Sequence, residues 1–271
     1  MARHRNQLIA AMRAGSHLDL ADHRTDETFG WDKEAAKTAL VDELTVVSDL
    51  QTRLFAEKTR ALLVVLQAMD AGGKDGVLRT VMTGVNPAGV KVASFGVPSD
   101  EELDHDFLWR IHQQTPARGQ IGVFNRSHYE DVLVVRVHEL VPNAVWRRRY
   151  RQIREFERSL GDEGTTVVKL FLHLSKDEQE ERLQARLDEP RKRWKFRLSD
   201  LDARAVWDDY QVAFQEMLGE TSTEHAPWYV VPANKKWYRD WAVATIMVEV
   251  LERLDLTWPE SPDDLSGVTI A

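Results

Sequence analysis

The chain has 271 residues, of which 43% are hydrophobic, so it can bury one large core, and its formal net charge at pH 7 is −8. The absence of cysteine excludes disulfides and thiolate metal sites, and it suits a reducing cytoplasm, where we expect the protein to work. The acidic net charge argues against general binding to nucleic acid, and no apolar run reaches the roughly 18 residues of a membrane helix, so we expect neither as a partner.

Hydrophobic patterns along the chain alternate between helices and short buried strands. They predict helices over residues 33–58, 77–85, 101–114, 128–137, 145–160, 176–187, 200–218 and 237–254, and strands over 61–67, 90–95, 120–124, 165–174 and 228–231. Such alternation produces βαβ units, so we expect an α/β fold with a central parallel sheet and helices on both faces. We divide the chain into an N-terminal helical extension (1–55), a main domain (56–258) and a C-terminal tail (259–271).

A glycine-rich segment joins the first strand to the helix that follows it. In a P-loop, Gly-x-x-x-x-Gly-Lys-Ser/Thr at this position wraps phosphate with backbone N–H groups. Here residues 68–75 read AMDAGGKD, so Ala68 replaces the first glycine and Asp75 replaces the hydroxyl residue. Gly72, Gly73 and Gly76 permit close backbone approach, and Lys74 adds positive charge. An ordinary glycine-rich turn with a surface lysine explains this segment equally well on its own.

Asp70 and Asp75 flank the predicted phosphate site. Two carboxylates beside phosphate are unfavourable unless a divalent cation lies between them. We therefore predict that Asp70 holds Mg²⁺, or Mn²⁺ in its place, and supplies the contact that Ser/Thr gives elsewhere.

A second polar segment, NRSHYED at residues 125–131, follows the third strand. Many nucleotide-binding domains place a metal-binding aspartate at such a strand end, where this chain has Asn125. Arg126 could stabilise a transferring phosphoryl group, and Glu130 and Asp131 could supply negative charge. A helix cap at Ser127, with Glu130 completing a capping box, explains the segment as well.

Two basic clusters stand out in this acidic chain, at residues 147–158 and 191–197. A single cluster is more often a solvated helix face. Two of them in a chain with a phosphate motif favour a track for a polyanion.

Three segments together resemble the polyphosphate kinase 2 family: QAMDAGGKDG (67–76), FNRSHYED (124–131) and RLDEPRKRWK (186–195). The resemblance implies a P-loop-kinase-like three-layer sandwich with a helical basic lid around residues 182–200. It also implies Mg²⁺-dependent phosphoryl transfer between inorganic polyphosphate and a nucleotide. Carried over by motif, Asp70 matches the metal-holding aspartate, Lys74 the loop lysine and Arg126 the arginine after the strand. Basic lid positions match at Arg186, Lys192 and Lys195.

One departure from the family pattern affects the predicted site. Many members have DRSWYNR in the second segment, whereas the version here resembles the class III branch, which is associated with phosphorylation of both AMP and ADP. Because Asn125 is a weak metal ligand, we place the second metal contact at Asp131. The predicted catalytic residues are then Asp70, Lys74, Arg126 and Asp131. The predicted substrate-binding residues are Ala71, Gly72, Gly73, Asp75, Gly76, Asn125, Ser127, His128, Glu130, Arg186, Lys192 and Lys195.

Two other functions compete with this hypothesis. The chain could be a nucleoside or nucleotide kinase that uses ATP, although Ala68 and Asp75 depart from the loop such enzymes carry. It could also be a phosphate-sensing protein without turnover, although Asp70, Lys74 and Arg126 together exceed what binding needs. We expect adenine nucleotides as partners, with guanine nucleotides as further candidates, and a homo-oligomer, either dimer or tetramer. The nine tryptophans and the apolar last helix fit either a subunit interface or core packing.

Overall fold

The strands of the protein lie where the apolar runs predict them. The structure is a computed structural model that describes residues 2–15, 18–266 and 268–270. Within these residues the strands are β1 (Ala61–Gln67), β2 (Val90–Ser94), β3 (Ile121–Asn125), β4 (Thr165–His173) and β5 (Trp228–Pro232). Every residue of β1 and nearly every residue of β4 is buried, as expected for strands covered on both faces.

Helices occupy the connections between the strands. They are α1 (Ala2–Met12), α2 (Lys33–Glu57), α3 (Lys74–Val81), α4 (Asp100–Leu103), α5 (Trp109–His112), α6 (Glu130–Val137), α7 (Asn143–Asp162), α8 (Lys176–Asp188), α9 (Ser199–Ala205), α10 (Trp207–Thr221) and α11 (Lys236–Glu252). Short 3₁₀ turns lie at Leu20–Asp22, Pro87–Gly89 and Arg193–Lys195.

All strand pairs are parallel, and the sheet order is β2-β3-β1-β4-β5. The first strand is therefore central, between β3 and β4. Leu66 of β1 pairs in register with Asn125 of β3, so the two polar loops leave the same edge of the sheet from adjacent strands. Ligands of such sheets bind at this carboxyl edge.

Two hydrophobic clusters cover the two faces of the sheet, which confirms the three-layer α/β architecture. Leu62, Val64 and Leu66 face a cluster that includes residues of α1, α2 and α11. Leu63 and Val65 face the other cluster, which includes residues of α6, α7 and α10. The alternation follows from the two-residue period of a strand.

The N-terminal segment contributes to this core. Leu8 and Met12 of α1 and Leu54 of α2 lie in the same buried cluster as β1. The predicted divisions at residues 55 and 258 are not tested by this packing and stay predictions.

The last helix is buried inside the molecule. Residues 241–251 of α11 are all buried, and Trp241 packs its ring 4.1 Å from that of Trp31. Core packing therefore accounts for this helix. None of the helices in the described part of the chain is both long enough and apolar enough to cross a membrane.

Two predicted helices are interrupted. Residues 101–114 form α4 and α5 with a turn between them, because the carboxylate of Asp106 accepts from the N–H of Leu108 and competes with the helical bond. Residues 200–218 divide into α9 and α10 at Val206, whose backbone is not helical (φ −103°, ψ 34°).

Candidate active site

The loop after β1 has the close backbone approach expected of a phosphate cradle. Gly73 has a left-handed backbone (φ 100°), and an added Cβ there would lie 2.0 Å from Nη1 of Arg239. A Cβ on Gly72 would lie 2.5 Å from Cβ of Ala68. Ala71 is also left-handed (φ 62°), which is costly for a residue with a side chain and typical of functional loops. The segment is thus more constrained than an ordinary turn.

Lys74 closes the loop. It is the first residue of α3, and its Nζ donates to the carbonyl oxygen of Ala68 at 3.0 Å, across the cradle. Burial, followed by the positive charge of Arg126, lowers the pKa of Lys74. A bound anion would offset the charge of Arg126 and favour the ammonium form of Lys74.

Arg126 connects the two motif loops. Its Nη2 donates to Oδ1 of Asp70 at 2.5 Å, and its Nη1 donates to Oε2 of Glu130 at 3.2 Å. Burial opposes its charge, but Glu130 and Asp70 outweigh burial and raise the pKa of Arg126. The structure therefore brings Asp70, Lys74, Arg126 and Glu130 together, as the sequence predicts.

Asn125 also reaches the cradle. Its Nδ2 donates to Oδ1 of Asp75 at 2.9 Å. An aspartate at position 125 would repel Asp75, whereas the amide can donate to it. The two departures from the usual motifs, Asp75 and Asn125, are thus partners.

The placement of Asp131 gives no support to its predicted catalytic and metal roles. The side chain is buried, and its Oδ1 accepts from Nη1 of Arg149 at 3.0 Å while its Oδ2 lies 3.8 Å from Nη2 of Arg110. Burial raises the pKa of Asp131, and the two arginines oppose that rise. The carboxylate joins α5, α6 and α7 instead of turning to the loop.

Ser127 and His128 are likewise placed in the core, so direct contact with substrate is not supported. Both are fully buried. Oγ of Ser127 accepts from Nε2 of Gln67 at 3.1 Å, and Nε2 of His128 lies 3.3 Å from Oε1 of Glu157. The alternative capping box is absent too, because α6 begins at Glu130, whose carboxylate binds Arg126.

A buried ionic network supports the second loop, and the sequence patterns do not reveal it. Nζ of Lys169 donates to Oε2 of Glu157 at 2.6 Å, to the hydroxyl of Tyr129 at 2.9 Å and to the carbonyl of Thr221 at 2.7 Å. Burial lowers the pKa of Lys169. Burial also acts against ionisation of Glu157, but Lys169 and His128 outweigh it and hold the pKa of the Glu157 carboxyl below its usual value. The network ties the residues after Arg126 to β4 and α7.

The lid residues are not gathered at the cradle. Nη1 of Arg186 donates to Oδ2 of Asp200 and to the carbonyl of Lys195, each at 3.2 Å. Lys192 is exposed and pairs with Glu189, and Nζ of Lys195 lies 5.1 Å from the ring of the exposed Trp194. The predicted contacts of Arg186, Lys192 and Lys195 with substrate stay predictions.

The other basic cluster, on α7, is mostly paired with acids. Its arginines contact Glu216, Asp131, Glu155, Glu220 and Asp162. A paired helix face explains this cluster better than a polyanion track.

A groove opens beside the cradle. Its charged lining residues are Asp70, Arg126 and Glu130. The other lining residues are apolar or aromatic, namely Ala68, Met69, Leu133, Val134, Ala203, Tyr210 and Phe214. Its accessible volume is about 20 Å³, which is room for about one water molecule.

Within the described residues, no group of three or more acidic or histidine side chains is arranged to hold a metal ion by itself. Magnesium commonly binds one or two protein carboxylates and completes its shell with phosphates and water. The oxygen donors at the cradle, Asp70 and Asp75, fit that mode of binding.

Helix α8 carries two further residues that sequence reasoning misses. The side chains of Arg182 and Gln179 donate to backbone carbonyl oxygens of the cradle. In the sequence they are two polar positions on a helix rich in charge, which a solvated face explains equally well.

Comparison with known proteins agrees with this geometry. The family model for polyphosphate kinase 2 matches residues 30–257. The AMP/ADP-polyphosphate phosphotransferase of Meiothermus ruber is 61% identical over 231 residues, which are 84% of this chain and 86% of the relative. The ADP-polyphosphate phosphotransferase of Rhodopseudomonas palustris is 48% identical over 91% of this chain and 90% of its own length.

Solved structures lead to the same family. The crystal structure of polyphosphate kinase 2 from Arthrobacter aurescens TC1 matches with a TM-score of 0.93 and 46% identity, over 96% of this chain and 94% of that one. The chain belongs to the polyphosphate kinase 2 family.

Proposed function

We propose that this protein transfers phosphoryl groups from inorganic polyphosphate to nucleoside mono- and diphosphates, converting AMP to ADP and ADP to ATP, with Mg²⁺ as its cofactor. The observation that carries the proposal is the cradle itself. Lys74 crosses it, Arg126 is held beside it by Asp70 and Glu130, and a groove with apolar walls opens next to it. The names of the relatives from Meiothermus ruber and Rhodopseudomonas palustris agree with this substrate class.

The transfer requires little covalent help from the protein. A terminal phosphate oxygen of the nucleotide attacks the terminal phosphorus of the polyphosphate chain. The bond between that phosphorus and its bridging oxygen breaks, so the nucleotide gains one phosphoryl group and the chain, one unit shorter, keeps the oxygen. The attacking oxygen is already anionic, so no general base is needed. The reverse reaction uses the same bonds, and we expect the transfer to be reversible.

The residues at the cradle supply position and charge. Lys74 and the backbone of the loop hold the donor phosphate, and Arg126 stabilises the charge on the transferring group. Arg126 is oriented by its two carboxylate partners before substrate arrives, so less reorganisation is needed during the reaction. Mg²⁺ held by Asp70, with Asp75 nearby, would neutralise phosphate charge.

The groove beside the cradle offers charged groups to the acceptor phosphates. Arg126 and Asp70 mark its polar end, and the aromatic residues Tyr210 and Phe214 lie on its wall. We place the phosphates of the acceptor nucleotide at the polar end, beside Arg126. We propose adenine nucleotides as the main acceptors and guanine nucleotides as further substrates.

Donor discrimination tests the proposal against an ATP-dependent kinase. Purified protein is incubated with AMP and Mg²⁺, with either polyphosphate or ATP as the sole donor, and the nucleotides are separated by chromatography. We expect ADP and then ATP to form from polyphosphate. Product with ATP alone would favour the ordinary kinase, and no product with any donor would favour a binding protein. Activity that persists in excess EDTA would exclude the metal.

We also propose that the protein acts in the cytoplasm as a homo-oligomer. The cysteine-free sequence supports a reducing compartment. Edge strand β2 supports self-association, because within the described residues one side of it has no partner strand and can pair with a second copy. Light scattering of the purified protein gives the oligomeric state directly, and a monomer at micromolar concentration would exclude it.

A further inference from the structure

Arg182 of α8 is buried, with 8% of its surface exposed, and every N–H donor of its guanidinium is used. Nε donates to Oε1 of Glu178 at 2.8 Å, and Nη1 donates to the carbonyl oxygens of Ala71 and Gly72, each at 3.1 Å. Nη2 donates to the carbonyl oxygens of Ala233, at 2.5 Å, and of Asn234, at 3.1 Å. Because arginine has five such donors, none is left for a phosphate.

Gln179, three residues earlier on the same helix, extends this contact. Its Nε2 donates to the carbonyl oxygen of Asp70 at 2.9 Å. Three consecutive carbonyls of the cradle, those of Asp70, Ala71 and Gly72, therefore accept from side chains of α8. The other end of the Arg182 fork holds the turn between β5 and α11.

These bonds determine which way the cradle peptides face. A peptide unit is planar and trans, so its carbonyl and N–H point in opposite directions. With the carbonyl of Gly72 held by Arg182, the N–H of Gly73 in the same unit is directed away from the guanidinium. The N–H of Gly72 is already used in a turn to the carbonyl of Met69 at 3.0 Å. The orientation of the Gly73 N–H thus depends on Arg182.

We propose that Arg182 is a positioning residue that fixes the peptide planes of the cradle, so that the loop receives the donor phosphate while Arg182 itself never touches it. The proposal rests on the proposed phosphoryl transfer. It predicts that the geometry of the guanidinium fork is required, and that positive charge alone is insufficient. Lysine offers three donors from one point and cannot bind four separate carbonyls.

The first test is Arg182→Lys, which keeps the charge and removes the fork. We expect kcat to fall by about 30-fold or more, because small misplacement of a reacting group is costly. We expect KM for polyphosphate to rise, and KM for AMP to change less than about two-fold, since the acceptor groove does not include α8. Arg154→Lys is the matched control. Its Nη1 also donates to a carbonyl and a carboxylate, both of Glu220, and we expect near wild-type kinetics.

Chemical rescue distinguishes positioning from a general structural role. Millimolar guanidinium added to Arg182→Ala should restore part of the lost rate, whereas equal ammonium should not. An Arg182→Lys protein that is folded and keeps more than about half of its kcat would overturn the proposal. So would a rate loss that only follows the fraction unfolded in a thermal melt.

If both Arg182 variants fail to fold, Gln179→Met tests whether α8 positions the cradle. It removes one donor to the cradle at nearly constant volume, and we expect kcat to fall by about 3- to 10-fold. Unchanged kinetics would refute the role of α8.

Calorimetric binding of tripolyphosphate separates this inference from the proposed function. Wild-type protein that binds tripolyphosphate without turnover contradicts only the function, and equal binding by wild type and Arg182→Lys contradicts only the inference.

Discussion

Replacement of Lys74 by alanine should abolish most of the activity and leave the fold intact. In the structure Nζ of Lys74 makes one hydrogen bond to protein, to the carbonyl of Ala68 at 3.0 Å. A net hydrogen bond contributes about 1 kcal/mol, so the melting temperature should fall by no more than about 2–4 °C.

The effect on the reaction should be much larger. An ammonium about 4 Å from a phosphate charge gains about 4 kcal/mol at an effective dielectric constant near 20. Loss of about 3 kcal/mol of this stabilisation in the transition state corresponds to a rate decrease on the order of 10²-fold. Lys74→Ala should therefore separate activity from stability.

Lys91→Ala provides the matched control. Nζ of Lys91 also donates to a main-chain carbonyl at 3.0 Å, that of Gln113, but it lies on β2 outside the cradle. Initial rates of ADP formation and thermal melts are measured for wild type and both variants. If Lys74→Ala retains more than about half of the wild-type rate while folded, the cradle has been assigned to the wrong loop.

The remaining predictions concern the lid, the metal and acid stability. The double replacement of Lys192 and Lys195 by alanine should raise KM for long polyphosphate several-fold and leave KM for AMP nearly unchanged. The rise should be largest at low salt, where charges are least screened. An equal change in both KM values would refute a separate polyphosphate track. Asp70→Asn should raise the Mg²⁺ concentration needed for half-maximal rate. Asp131→Asn should leave that concentration unchanged and lower the free energy of unfolding by about 3 kcal/mol. The opposite pattern would return the metal role to Asp131. Burial lowers the pKa of His173 to about 4, so its unfolded form binds the proton first as the pH falls. His173 should consequently lower the free energy of unfolding by about 3 kcal/mol between about pH 6.5 and about pH 4, and His173→Gln should remove that contribution in urea titrations. An identical acid profile would contradict the assignment.

The sequence is sufficient to predict the strands and the position of the glycine-rich loop, because both depend on local signals. Short β-branched runs identify strands such as β1, and glycines with a lysine between a strand and a helix identify the loop at 68–74. Parallel strands bring loops from the same sheet edge together, which is why Arg126 was expected near Asp70.

Other parts of the site depend on contacts between distant segments. Asp131 and Glu130 are adjacent in the first turn of α6, yet one binds arginines from α5 and α7 and the other binds Arg126. Helical spacing alone cannot determine which carboxylate turns to the cradle. Helical spacing also could not predict the ion pairs of the basic residues of α7, because their acidic partners come largely from other helices.

The buried polar residues could not be identified for a related reason. Lys169 interrupts an apolar strand, and its partner Glu157 lies on a charged helix. Both are fully buried and compensate each other. Arg182 similarly has the sequence context of a solvated helix residue, and only the fold places it under the cradle.

The central claim is that the cradle moves phosphoryl groups from polyphosphate to nucleotides without ATP as donor. A ³¹P NMR time course of purified protein with polyphosphate, AMP and Mg²⁺ tests it directly, with Lys74→Ala prepared in the same way as a control for contaminating kinases. We expect the β-phosphate signal of ADP to grow first and the γ-phosphate signal of ATP to follow, as internal polyphosphate phosphates are lost and Lys74→Ala stays nearly silent. Unchanged AMP and polyphosphate spectra with folded wild-type protein, or equal product from Lys74→Ala, would contradict the account.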